Sequence, residues 1–326
     1  MLSHSPAVSV RPRPLGKTGL VVSELALGTW GLSGDGYGPV EAAEAERTIA
    51  RALDIGFTLI DTSDSYGGGA MEALLGRVLA SEPAKSRVVV ATKIGTDRTT
   101  EPPRKRFDPE YLRARVQASA KRLGRERVEL VLLHNPSVES LTAGEARGAL
   151  EAMKKDGLIA HWGVAAGDAD VARVAIDHGA EVIELAYNLM HAIDLHRVAG
   201  DAMVSGVGVM ARSTLAHGLL AGMWAKDREF KEPDHRADRW TKLELERRVT
   251  QLDAVRFLVR GDVHTLRAAA TRFVLSNHLV SSAVLGPKSV EQLEQLVRET
   301  GGGPQYLPDD ALASLPRALA RAGILT

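Results

Sequence analysis

The feature that most constrains this chain is an alternation. Short β-rich apolar runs recur along it, each followed by a longer stretch of helical period, the signature of parallel strands joined by helical crossovers. Eight such runs are present: ELALG (24–28), FTLID (57–61), RVVVATK (87–93), VELVLLH (128–134), IAHWGV (159–164), EVIELAYN (181–188), VGVMAR (207–212) and SSAVLG (281–286). The intervening segments include AEAERTIARALDIG, AMEALLGRVLA, DPEYLRARVQASAKRLG and TAGEARGALEAMKKDG, several of which end at a glycine suited to a helix C-cap. Eight βα units in about 270 residues match the size of a closed (β/α)8 TIM barrel, an α/β fold. A doubly wound open sheet would place a GxGxxG turn and a helix after its first strand, whereas ELALGTWGLSGDG has other spacings and no helix directly behind it.

Additions decorate this core. PRPLGKTGLVVSELAL reads as an N-terminal β-hairpin with LGKTGL as its turn, placed to plug the barrel floor. The stretch from Trp224 to about Gly261, a long loop after strand seven, reads as a lid or substrate-side loop. An amphipathic helix, DDALASLPRALARAG, follows a flexible GGGP at 301–304, and residues 1–10 read as a loose tail before one barrel domain over 11–326.

Composition narrows the partners. Lys plus Arg number 41 against 41 Asp plus Glu, so no net field attracts nucleic acid or anionic membranes, and a small molecule is the expected partner. The chain has no cysteine, which removes disulfides and thiolate chemistry and suits a reducing cytoplasm. No apolar run of membrane-spanning length is present, and neither is HExxH. His191 and His196, after YNLM, fit no common zinc spacing, and no metal site is expected. Oligomeric state is not legible.

In a (β/α)8 barrel the active site forms at the C-terminal ends of the strands. Four ionisable residues fall there: Asp61 ends strand two, Tyr66 follows in DTSDSYGGG, Lys93 ends strand three and His134 ends strand four. Singly each has an ordinary structural reading, but jointly they form a set. A tyrosine hydroxyl, with an ordinary pKa near 10, needs help to move protons at neutral pH. An ammonium about 4 Å away, at an effective dielectric of about 20, stabilises phenolate by roughly 4 kcal/mol, or about 3 pK units. This predicts a tyrosine brought near neutrality by Lys93, with Asp61 keeping the lysine charged and His134 donating to a carbonyl oxygen. Asp64 reads as a loop cap, and PPRKRF (102–107) as a solvated loop.

At these residues the sequence resembles the aldo-keto reductase superfamily, through DTSDSYG, ATK, LLHNP and the opening LGKTGLVVSELALGTW. The resemblance implies an NADPH-dependent oxidoreductase that reduces aldehydes or ketones with Tyr66 as general acid. It also admits a reading as an NADP(H)-binding redox-sensing or accessory protein with little turnover. ARSTLAHGLLAG (211–222) is similar to the pyrophosphate loop, which carries a cofactor role to Arg212, Ser213, Leu215 and Gly218. GPKSVEQL (286–293) is similar to the segment that grips an adenosine 2'-phosphate. That likeness brings Gly286, Lys288, Ser289, Gln292 and the following Gln295 to the cofactor, and favours NADP over NAD. Thr29 and Trp30, in GTWG, are placed at the cofactor and substrate side, although Trp30 reads equally as a core aromatic.

Three departures stand out. Ala165-Ala166 replace a Ser-Asn pair, Glu184 replaces a glutamine, and Gln295-Leu296 replace an adenine-binding acid-Asn pair. Each lost hydrogen bond is expected to cost about 1 kcal/mol of cofactor binding.

Overall fold

The computed structural model describes residues 10–80, 84–301, 303 and 306–325. Apart from Val10, the expected N-terminal tail lies outside these residues, as do Gly302 and Pro304 of the GGGP segment.

Among the described residues twelve strands run in chain order. They are β1 (Pro12–Pro14), β2 (Val21–Ser23), β3 (Leu25–Gly28), β4 (Leu59–Ser63), β5 (Val89–Ile94), β6 (Thr96–Asp97), β7 (Arg104–Lys105), β8 (Val128–His134), β9 (Ile159–Ala165), β10 (Val182–Ala186), β11 (Gly208–Arg212) and β12 (Val280–Leu285). Strands β3, β4, β5, β8, β9, β10, β11 and β12 pair in parallel and close into a barrel, β12 returning to β3. Each of the eight runs read from the sequence supplies one barrel strand.

The alternation of each strand splits its side chains between two cores. Along β8, Leu130 and Leu132 join Ala26, Leu59, Ala91, Val182 and Met210 inside the barrel, while Val131 and Leu133 join the larger core beneath the helices. Strands buried on both faces therefore read as continuous apolar runs, which is why they stood out.

The hairpin β1–β2 plugs the floor as expected. It pairs antiparallel with Arg13 opposite Val22, and Lys17 N donates to Gly206 O at 2.8 Å. Leu15, with no exposed surface, closes the interior cluster from below. Gly16 sits so close that a Cβ there would lie 2.2 Å from Gly208 N, and its φ of +54° is a conformation glycine tolerates best. Arg13 ties the hairpin to the barrel through the carbonyls of Val280 and Leu275 and the carboxylate of Glu24.

The long segment after β11 is not one lid, which corrects the sequence expectation. Its first half, from Trp224 to Trp240, reaches the strand-end face, where Asp234 bridges Tyr37 and His235 N donates to Gly36 O at 2.9 Å. Its second half forms the helix Lys242–Gln251, started by a Thr241/Glu244 capping box, and the turn Leu252–Leu258. Gln251 Nε2 donates to Ala322 O at the end of the C-terminal helix Asp309–Arg321. That half is a buttress, because its apolar residues Leu252, Val255 and Leu258 are buried in the outer core.

No helix among the described residues is long and apolar enough to cross a membrane.

Candidate active site

The structure brings the four predicted residues together. Parallel pairing sets Ser63 of β4 beside Lys93 of β5, and Lys93 beside Leu132 of β8, two residues before His134. Lys93 Nζ makes an ion pair with Asp61 Oδ1 and lies 5.6 Å from the centroid of the Tyr66 ring. The rings of Tyr66 and His134 meet edge to face at 6.3 Å. Asp61 and Lys93 are buried, whereas Tyr66 and His134 keep part of their surface open.

A fifth residue completes the cluster. Glu184, on β10 across the barrel interior, is 1% exposed, and its Oε2 lies 3.2 Å from Lys93 Nζ. One ammonium thus faces two carboxylates. Burial, reinforced by the charge of Glu184, pushes the Asp61 carboxyl above its ordinary range despite Lys93. Burial alone would lower the Lys93 pKa, but the Asp61 and Glu184 carboxylates hold it raised, so the lysine stays charged. Tyr66 is likewise raised. Burial is the main cause, and Asp61 and Glu184 offset the pull of Lys93. The expectation of a near-neutral tyrosine is therefore corrected, since burial and a second carboxylate outweigh one lysine. His134 is held well below its ordinary value by burial and by the nearby Lys105, Lys93 and Arg212, so its imidazole is neutral. Its Nδ1 meets the hydroxyls of Ser63 and Thr96, each at 3.4 Å, which turns Nε2 toward the remaining side of the site.

Two supporting elements escaped the sequence. PPRKRF is not merely a solvated loop. Arg104 and Lys105 form β7 against β6, and Lys105 Nζ donates to Thr96 Oγ1 at 2.8 Å, fixing one of the hydroxyls at His134. Asp64 is not a cap, because its side chain is fully buried and ion-paired with Arg115 at 2.6 Å. His191 pairs with Asp194 at 2.6 Å, and His196 meets the Tyr187 hydroxyl at 3.5 Å.

Two of the three departures form one patch. Glu184 pairs in register with Ala165, and Ala166 N donates to Glu184 O. Arg212 spans both, with Nη2 donating to Ala166 O at 3.0 Å and Nε lying 4.0 Å from Glu184 Oε1. Arg212 is thus held by β9 and β10 at the strand ends. Glu184 Oε2, buried, accepts no hydrogen bond among the described residues.

Backbone strain gathers on the same face. Among the described residues the non-glycine residues with left-handed φ are Asn135 (50°), Ser213 (56°), Ala216 (47°) and His217 (60°). All follow β8 or β11 at the strands' C-terminal ends, and each such conformation costs roughly 1–2 kcal/mol. Leu215 lies within the run, and Gly218 follows it at φ 95° beside Trp224 and Arg236. Thr29 Oγ1 donates within the strand ends, to Asp61 O or Thr62 Oγ1, and is fully buried. Trp30 packs at 4.6 Å on His235, in the Trp224–Trp240 half of the long segment, and at 5.3 Å on Tyr37, not in the core.

The segment expected to grip a phosphate is engaged with protein. Lys288 Nζ donates to Tyr37 O at 2.6 Å, Ser289 Oγ caps its helix by accepting from Gln292 N, and Gln292 Oε1 accepts from Lys288 N. Gln295 bonds Glu299 on its own helix, Leu296 is buried in the outer core, and Gly286 is exposed.

A closed parallel barrel with a buried Lys–Asp pair, a tyrosine and a neutral histidine at its strand ends defines a class of barrel oxidoreductases, and comparison with known proteins agrees. The model of the aldo/keto reductase family matches residues 24–300, and the chain belongs to that family. It is 28% identical over 332 residues to the NADH-specific methylglyoxal reductase of Escherichia coli, covering 95% of this chain and 98% of that one. It is 27% identical over 303 residues to the L-glyceraldehyde 3-phosphate reductase of the same species, covering 88% and 86%. Among solved structures, the glycerol dehydrogenase of Gluconobacter oxydans superposes with a TM-score of 0.82 at 26% identity, covering 99% and 98%.

Proposed function

We propose that this chain is a nicotinamide-dependent reductase of small aldehydes or ketones in which Tyr66 is the general acid. The observation that carries the reading is the joint placement of Tyr66 and the neutral His134 over a buried, charged Lys93.

The residues fit the reactive end of a nicotinamide dinucleotide. The buried Glu184 Oε2, which faces Lys93 but makes no hydrogen bond, would accept from the carboxamide, and the strained 213–218 backbone would meet the diphosphate. When bound, the reduced nicotinamide supplies a hydride to the carbonyl carbon. The chain supplies the proton. Tyr66 donates to the carbonyl oxygen as negative charge develops there, and His134 Nε2 donates a hydrogen bond to the same oxygen. Lys93 stabilises the resulting phenolate, and Asp61 with Glu184 keeps Lys93 protonated. The raised Tyr66 pKa keeps the acid loaded throughout the physiological range.

The names of the two Escherichia coli relatives suggest a short, polar carbonyl compound as substrate. The GPKS segment favours NADP(H), while one relative is NADH-specific.

Turnover of methylglyoxal, glyceraldehyde 3-phosphate and simple ketones, assayed with NADH and with NADPH, tests the reading. Wild-type protein is expected to oxidise reduced nicotinamide with at least one of them. Tyr66→Phe is expected to lose about a hundredfold to ten-thousandfold in kcat while still binding nucleotide. Nucleotide binding without turnover on the whole panel contradicts the assignment and returns the accessory-protein reading.

A further inference from the structure

The start of the helix Val290–Thr300 is the place where an adenosine 2'-phosphate is expected from the sequence, and the structure fills it with a carboxylate. Val290 N, a backbone donor at that helix start, donates a hydrogen bond to Glu44 Oε1 at 2.9 Å. Glu44 lies in the first turn of the helix Ala42–Ile55, remote in sequence. Its other oxygen is paired with Arg47. The Val290 N–H first, and Arg47 next, hold the Glu44 carboxyl below its ordinary range, so it is ionised at neutral pH.

The neighbouring cations are also committed. Lys288 Nζ donates to Tyr37 O at 2.6 Å, and Arg51 pairs with Glu294 at 2.7 Å. Ser289 Oγ is used as the helix cap. A phosphomonoester brings about −1.5 to −2 charges and three acceptor oxygens. Here it would meet a fixed negative charge at the backbone donor it requires, and cations that must first leave protein partners. An unphosphorylated ribose brings hydroxyl donors instead, which a carboxylate accepts.

Resting on the nicotinamide reading above, we propose that the adenosine end of this site selects NAD(H) over NADP(H), with Glu44 as the residue that determines the choice. This reverses the preference read from GPKS alone. That motif shows Lys288 and Ser289 but not the carboxylate which the first helix delivers to the neighbouring Val290 N.

Binding separates the two readings without any turnover. Dissociation constants for NAD+, NADP+, AMP and adenosine 2',5'-bisphosphate are measured by calorimetry on the wild type, Glu44→Gln and Glu44→Ala. The glutamine keeps an acceptor oxygen for Val290 N and removes the charge. Wild type is expected to bind NAD+ at least about tenfold tighter than NADP+, the scale of an unfavourable like-charge juxtaposition. Glu44→Gln is expected to tighten NADP+ and the bisphosphate by about fivefold or more without tightening NAD+ or AMP. Glu44→Ala, which also frees Val290 N, is expected to tighten them at least as much. Tighter wild-type binding of NADP+, or an unchanged NAD+ to NADP+ ratio in both variants, overturns the proposal and leaves the reductase reading standing. Failure to bind either dinucleotide overturns the nicotinamide reading, and this inference with it.

Discussion

Lys93 lies between two buried carboxylates, Asp61 and Glu184, and what it can do for Tyr66 depends on both. Each carboxylate raises the Tyr66 pKa and so opposes phenolate formation. Carbonyl reduction needs the protonated tyrosine, whereas alcohol oxidation needs the phenolate as base. The second carboxylate therefore opposes the phenolate that alcohol oxidation needs. Glu184→Gln removes one of the two opposing charges while keeping a polar side chain against Lys93. The alkaline limb of the pH profile for alcohol oxidation is expected to move toward neutrality in this variant, and a limb that stays in place or moves to higher pH contradicts the electrostatic account. Asp61, Tyr66, Lys93 and His134 were legible in the sequence because each closes or follows an apolar run at the productive end of a strand. Glu184 appeared only as a departure from a pattern. Its contact with Lys93 crosses the barrel interior between strands β5 and β10, which are not neighbours in the sheet, so no local spacing records it.

At the scale of elements, the strap from Trp224 to Trp240 is held to the strand-end face by aromatic and cationic contacts. His217 and His235 lie 5.2 Å apart, with Trp30 and Tyr37 packed on His235. Arg236 stacks over Phe230 at 4.4 Å and Tyr37 at 4.8 Å. Burial, followed by the charge of Arg239, holds His217 down to about 3 and His235 down to about 4, Asp234 only partly opposing this at His235. Both imidazoles are thus neutral in the folded chain, while the unfolded chain takes up protons near pH 6.5. The unfolded state binds more protons below that value, so stability rises with pH there. The contribution is present above about pH 6.5 and is lost as pH falls toward the folded values of about 4 and about 3. Acidification from pH 7 to 4.5 is expected to loosen the strap and change the fluorescence of Trp30, Trp224 and Trp240, and His217→Asn with His235→Asn is expected to flatten that change. An equal change in the double variant excludes these histidines as its source. At the opposite end of the barrel, Leu15→Ala opens a cavity between the hairpin and the floor. The loss in urea denaturation is expected to be about 2–5 kcal/mol, as for other fully buried leucines. A loss under about 1 kcal/mol would mean that the plug is dispensable for stability.

For the whole molecule, periodicity was a sufficient guide to the barrel, because strands covered on both faces must be apolar throughout and their crossovers must be amphipathic. The same signal has no purchase on loops. The segment from Trp224 to Gly261 reads as one charge-rich loop, yet Thr241 and Glu244 divide it into a strap over the site and a helical buttress against the C-terminal helix. Distances across the fold decide such matters, as they decide that Glu44 meets Val290. The central claim is that Tyr66 and Lys93 act as one proton-delivering unit, the lysine working through the tyrosine. A double-mutant cycle on kcat, with Tyr66→Phe, Lys93→Met and the pair combined, and with nucleotide binding confirming the fold of each variant, tests it most directly. Either single change is expected to cost about a hundredfold to ten-thousandfold, and the double variant is expected to be no slower than Tyr66→Phe by more than about twofold. Losses that multiply in the double variant would contradict the account, because they would show Lys93 contributing to the reaction by a route that does not pass through Tyr66.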